Sequence, residues 1–268
     1  MRKYIFLAIF LSLTIIQSCD IVDGPYSENI DIEPEDSVLN RRALLIEFTG
    51  IKCPNCPDAS AEAHRIIDKY KGRVFGMNIH ATSLARPDFS KENQFDFRTV
   101  VGNEIYQKSN QNAVPSGAVS AFLDGSSYTN SFLSWESKAV EFISEEAEFD
   151  IKLNLDNKLN IELEFFKELE GNFRIAAYLV ENNIIGYQLH NSTHIQDYKH
   201  DYVLREQILG NLGQDLDLSL IIDNKLNISW NLPEIKEEWN TDNLNIICFV
   251  YHSETGKIYQ VNEIPFKE

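Results

Sequence analysis

Two cysteines separated by two residues, Cys53-Pro54-Asn55-Cys56, stand between an apolar run, Ala43-Leu44-Leu45-Ile46-Glu47-Phe48, and a segment of helical spacing, Asp58 to Lys71. The first run predicts a buried strand and the second a helix. The pair therefore falls at a strand-to-helix turn. Cysteines at this spacing can close a small disulfide ring, and a helix N-terminus favours negative charge, so the first thiol ionises more easily there. Thiol–disulfide exchange needs that arrangement, because the thiolate is the nucleophile. The same residues also suit half of a zinc site or a structural disulfide. A zinc site needs further ligands at metal spacing, and the chain has no second such motif. No metal and no cofactor is expected. Glu47 lies six residues before Cys53, inside the apolar strand. A carboxylate there is desolvated, its pKa rises, and it can trade protons with the second thiol. The alternative is a side chain that reaches solvent at a strand edge.

Other candidate groups point less clearly to chemistry. Cys248, between Ile247 and Phe249, reads as an inert core thiol. His190, His194 and His200 share one stretch with Arg205. Imidazole is a common ligand, but the spacings do not fit one helical face, and the stretch reads as a packed polar loop over the edge of a sandwich. His64 falls in the helix after the cysteines. His80 ends the next predicted strand, at the end of the sheet where the thiols lie, and is the better neighbour for them. No Gly-rich phosphate loop and no Gly-x-Ser-x-Gly elbow occurs.

The elements that must position these residues alternate in the first half. Arg73–His80 reads as a second buried strand, Ala81–Phe97 as a loop or insertion, Arg98–Ser109 as a short helix, Ala118–Leu123 as a strand ending at the turn Asp124-Gly125, and Phe132–Phe149 as an amphipathic helix. Alternating strands and helices imply an α/β layered domain. After Phe149 the period becomes two. Hairpins are predicted over Asp150–Phe166, Leu216–Leu232 and Leu244–Ile264, with a strand at Asn172–Leu179. The string Asp-Asn-Lys-Leu-Asn-Ile occurs at 156–161 and again at 223–228, which reads as similar turn chemistry in two hairpins. About seven short strands suggest an immunoglobulin-like β-sandwich.

The ends and the composition set the compartment. Met1-Arg2-Lys3 is basic and Tyr4 to Ile16 is almost wholly apolar, too short for the roughly 20 residues of a membrane span. This is the pattern of a secretory signal. The residues before Cys19 resemble a bacterial lipobox, which implies cleavage before Cys19 and a lipid on its thiol. From Asp20 to Asn40 the chain carries Asp20, Asp23, Glu28, Asp31, Glu33, Glu35 and Asp36 with no Lys or Arg, a composition that reads as a solvated tether. Fully extended, it would reach about 70 Å. A formal charge of −17 excludes the basic faces that nucleic acid rewards, and docking by charge on an anionic bilayer. Four cysteines, one of them the lipid attachment site, do not make a disulfide framework. The expected layout is a signal peptide over 1–18, an acidic tether over 19–41, an α/β domain over 42–148 and a β-sandwich over 149–268.

Leu44 to Cys56, with Val114-Pro115 and a strand after it, resembles the thioredoxin superfamily. The resemblance implies that Glu47 is the buried acid, Cys53 the nucleophile, Cys56 the resolving cysteine and Pro115 a cis-proline that offers its backbone edge to a partner. Lys52 before the first cysteine and Pro-Asn between the two depart from the usual pattern, and both positions influence redox poise. A wider resemblance rests on Glu47-Phe48-Thr49-Gly50, Asp96-Phe97-Arg98-Thr99, Pro115-Ser116-Gly117, Tyr198 to Arg205 and Tyr259-Gln260-Val261. Those segments look like an outer-membrane lipoprotein family of Bacteroidetes-type bacteria, in which a thioredoxin-like domain precedes a β-rich domain. Two function classes follow. One is a lipid-anchored thiol–disulfide oxidoreductase that acts on thiols or disulfides of envelope proteins. The other is a non-catalytic surface module in which the disulfide staples the start of the helix and the β domain binds an unknown ligand.

Overall fold

The computed structural model describes residues 40–210 and 212–267. The predicted signal peptide, Cys19 and the tether up to Leu39 lie outside the described residues. Strand β1 (Ala43–Thr49) is buried at every position. It pairs in parallel with β2 (Val74–His80) and antiparallel with β3 (Ser116–Val119). A strand covered on both faces has no polar side to show, which explains the unbroken apolar run. One face of these strands carries α1 (Cys56–Lys69) and α3 (Trp135–Ile143), packed through Ala43, Leu45, Ala63, Ile66, Trp135 and Phe142. The other carries α2 (Val100–Lys108), packed through Leu44, Ile46, Phe48, Val101 and Ile105. Period two then puts Glu47 on the α1 side with Ala43 and Leu45.

The predicted helix over Phe132–Phe149 is shorter. It runs as a 3-10 turn, Phe132–Ser134, and then α3, and Leu133 is exposed rather than buried. Asp124-Gly125 opens another 3-10 turn instead of a hairpin, because the Asp124 carboxylate accepts from the Ser126 amide and caps it.

Beyond α3 come β4 (Phe149–Leu155), β5 (Lys158–Phe165), β6 (Phe173–Glu181), β7 (Ile184–His190), β8 (Thr193–His200), β9 (Val203–Gln207), β10 (Gln214–Asp215), β11 (Lys225–Asn231), β12 (Leu244–His252) and β13 (Ile258–Pro265). The hairpins β4–β5 and β12–β13 form where period two places them. The segment Leu216–Ile222 does not make a hairpin arm. It holds a 3-10 turn, and β11 pairs with β5 instead, so that Ile228 faces Ile161 across the two copies of the repeated string. Strands β4, β5 and β11 form a three-stranded sheet, and Phe149, Ile151, Leu159, Ile161 and Leu163 pack onto Ile175, Leu179, Ile246 and Val250 of β6 and β12.

That packing is a sandwich, but its second sheet is not a separate one. A continuous sheet runs β13-β12-β6-β9-β2-β1-β3, with β10 added beside β6. The molecule is thus mostly β-sheet with few helices, and it lacks the two independent sheets of an immunoglobulin-like domain. The expected boundary at 148/149 falls inside one compact unit, to which all described residues belong. The reason is shared burial. Phe122 of the first half packs edge-on against Phe249 and Tyr251 of the second, with ring centroids 5.0 and 4.9 Å apart. Across the boundary, Arg42 ion-pairs with Asp150, and its amide donates to Gln260 Oε1 at 2.7 Å.

Candidate functional site

The site begins where β1 ends. Gly50 leads into a tight turn in which the Cys53 amide donates to the Gly50 carbonyl at 3.0 Å and the Lys52 amide to the Leu84 carbonyl at 2.8 Å. Cys53 and Cys56 are joined as a disulfide, with Cα atoms 5.4 Å apart. Cys56 opens α1, and Pro57 sits in the first turn, where its missing N–H costs nothing. Both cysteines are 1% exposed.

Behind the pair lies Glu47, wholly buried. The Ser60 hydroxyl contacts both of its carboxylate oxygens at 3.1 Å. Cys56 and Ser60 are one turn apart on the buried stripe of α1, so the carboxyl lies one turn below the second cysteine. Burial pushes its pKa up to about 8, and the Ser60 and Thr49 hydroxyls hold it back only in part. Pro115 immediately precedes β3, whose Ser116 pairs with Phe48, so Pro115 stands at the same end of the sheet as the cysteines; the Val114–Pro115 bond is cis.

The histidines do not form a loop over the sandwich edge. They belong to the hairpin β7–β8, a two-stranded ribbon that, among the described residues, pairs with no other strand and is laid over the cysteine turn. The Leu189 amide donates to the Ile51 carbonyl and the Asn191 amide to the Pro54 carbonyl, each at 2.8 Å. Gln188 Nε2 reaches the carbonyls of Cys53 at 3.1 Å and Gly50 at 3.3 Å. His190 Nε2 lies 2.9 Å from the Asp58 carboxylate in the first turn of α1. His194 pairs with the Tyr187 hydroxyl at 2.8 Å. The sequence held little warning of this ribbon, because β8 is mostly exposed and shows no apolar alternation.

His80 is placed less simply than expected. It lines a polar cavity of about 10 Å³ with Thr49, Ser60, His64, Asn78, Gln188, Tyr198 and His200. Neither of its ring nitrogens meets a hydrogen-bond partner among the described protein atoms. Burial holds the His80 pKa well below its ordinary value, with the nearby His200 and Arg205 adding to the effect. Burial likewise lowers His200 to about 4. Both rings are therefore neutral near pH 7. His64 lies 3.8 Å from Asp201. Among the described residues no cluster of His, Cys, Asp or Glu is arranged to hold a metal ion. Cys248 is buried, and burial pushes its thiol pKa up, as suits an inert core residue.

A strand-to-helix disulfide backed by a buried carboxyl, on a mixed sheet that continues into a β-rich half, defines an α/β-plus-β protein with one dithiol centre. Residues 103–268 match the family model described as outer membrane protein Omp28, and the chain belongs to that family. The family is one of outer membrane proteins. Among the described residues no helix is long and apolar enough to cross a membrane. The fold is shared with HBP35 of Porphyromonas gingivalis, at 16% identity and a TM-score of 0.65 over 84% of this chain and 75% of that one. It is also shared with a protein of Agrobacterium tumefaciens, at 11% identity and a TM-score of 0.58 over 85% and 96%. A domain of the outer membrane lipoprotein Omp28 from Porphyromonas gingivalis matches 44% of this chain and 87% of its own at 17% identity, but its TM-score of 0.28 bears no weight on the fold. No curated protein matches the sequence.

Proposed function

We propose that this lipoprotein, carried by a lipid on Cys19, presents a thioredoxin-like head extended by a β domain, and that its Cys53–Cys56 pair exchanges disulfides with envelope proteins. The observation that carries this reading is Glu47. A structural staple has no use for a carboxyl buried one turn below its second sulfur, and burying an acid costs stability. An exchange site does use it. In the reduced pair, Cys53 attacks a partner disulfide as thiolate, forms a mixed disulfide and releases one partner thiolate. Glu47 as carboxylate then takes the Cys56 proton. The Cys56 thiolate attacks Cys53 Sγ, closes the intramolecular disulfide and expels the second partner thiolate. The partner gains two electrons and the pair loses two. Run backwards, the same steps oxidise a partner dithiol. A proton acceptor with a pKa of about 8 lies close to that of an ordinary thiol, which favours the transfer. Pro115 offers its backbone edge to the partner beside the disulfide.

A second reading, the structural staple, is favoured by one observation: both cysteines are 1% exposed. One pair of measurements separates the two. Cys56→Ser expressed in the native envelope is expected to trap a partner on Cys53, and the purified wild type to reduce a model protein disulfide. If neither happens, and the pair has a potential below about −300 mV, the disulfide is a staple.

A further inference from the structure

The amides of Tyr187 and Leu189 in β7, and that of Asn191 just beyond its end, point off one edge at every second residue. They end on the carbonyls of Asn93, Ile51 and Pro54, at 2.7, 2.8 and 2.8 Å. This is how an added strand meets an edge. Here the strand belongs to the protein itself, and two of its three acceptors lie in the turn that holds the cysteines. Gln188, between two of the donors and 2% exposed, fills the remaining space with its amide on the Cys53 and Gly50 carbonyls.

The ribbon is built to move as a piece. It pairs with no strand of the main sheet, and a two-stranded ribbon has little stability of its own. It leaves β6 through Asn183 and rejoins at Tyr202, both with left-handed φ of 57°. Its roots are tied by side-chain bonds, Asn183 amide to Asp201 and Tyr202 amide to Asn182, at 2.8 and 2.9 Å. Its apolar seat is small: Ile51, Phe97, Tyr187 and Val203, with Ile184 and Leu189 against them. The Asp58–His190 pair at the tip is half exposed and adds little.

We propose that the β7–β8 hairpin is an intramolecular cover which occupies the main-chain acceptors of the cysteine turn, and that the disulfide reacts only when the hairpin swings away about its Asn183 and Tyr202 roots. An extended segment of a partner protein takes the place of β7 when it opens. The cover stands on geometry alone; its role in admitting a partner rests on the exchange reading above.

The test uses the purified protein and a small reductant, a water-soluble phosphine, which needs access but no docking. The variant Gln188→Ala/Leu189→Pro removes the Gln188 contacts and the amide given to Ile51. Leu189 faces His194 without using that amide in the ribbon, so the ribbon keeps its own pairing. The double variant is expected to be reduced about tenfold faster than wild type. Gln188→Ala alone leaves every backbone donor in place, guards against misfolding of the double variant, and is expected to be about threefold faster. Rates equal to wild type in a folded Gln188→Ala protein overturn the cover. If the variants are reduced faster but no form of the protein reduces a protein disulfide, the cover stands and the exchange reading falls.

Discussion

At the scale of single residues, Glu47 has the largest energetic consequence. Its pKa is ordinarily near 4.5 and about 8 in the fold. The folded chain therefore holds an extra proton between those values. The contribution of Glu47 is full below about pH 4.5 and drains away as pH rises to about 8, by at most about 5 kcal/mol from a shift of this size. Glu263, raised by burial to about 7, contributes with the same sign. Glu47→Gln keeps the Ser60 contact and removes only this titration. Between about pH 6 and 8.5 its urea midpoint is expected to follow only the Glu263 component and the opposing one of the buried histidines His64, His80 and His200, while the wild-type midpoint falls further with pH. Parallel curves would mean that Glu47 meets water, and the proton-transfer role would go with it. Glu47 was legible in the sequence because one carboxylate in an otherwise apolar strand is conspicuous. Ser60 was legible only in retrospect, as the residue one turn from Cys56. Gln188 was not legible at all, since its partners lie more than a hundred residues earlier in the chain.

At the scale of elements, local chemistry predicted what local chemistry controls. The strand β1, the helix α1 and the hairpins β4–β5 and β12–β13 carry strong periods and formed in place. The arm over Leu216–Ile222 has the same period and did not form, because β5 found its partner in β11. The ribbon β7–β8 was missed for the opposite reason: it is held by main-chain bonds to distant turns, which leave no trace in residue type. Gly50 shows how closely such turns approach. A Cβ there would meet the Leu84 carbonyl carbon at 2.8 Å and the Ala85 nitrogen at 2.9 Å, both backbone atoms that cannot rotate aside. Gly50→Ala is expected to push the Ser83–Ala85 turn off the cysteine loop and to cost about 1–3 kcal/mol. Thermal unfolding should show this as a Tm lower by about 3–8 °C. An unchanged Tm would show that the turn yields freely.

At the scale of the whole molecule, the question is whether the two halves unfold together. The change from helical period to period two at Phe149 marked a domain boundary in the sequence. Composition reports which elements form, but not which cores they share. The sheet crosses the boundary through a narrow seam: β9 meets β2 at a single register pair, Asn78 with Val203. Around it the Asn78 amide donates to the Tyr202 carbonyl at 2.7 Å, and its side chain to the Asp201 carbonyl at 2.9 Å. So short a strand pairing holds little by itself, and the aromatic cluster of Phe122, Tyr178, Phe249 and Tyr251 supplies the coupling. Burial of that cluster is lost if either half opens, so neither half is stable with the other unfolded. The protein is expected to unfold in one transition, with far-UV circular dichroism and tryptophan fluorescence coincident. Trp135 reports the first half, and Trp230 and Trp239 the second. Asn78→Ala leaves the buried Asp201 carbonyl without its donor and should lower stability by about 1–3 kcal/mol. Both probes should move together. Two resolved transitions, or an Asn78→Ala shift seen by one probe only, would show that the boundary read from the sequence is a true break in cooperativity and that the shared core couples the halves too weakly to matter.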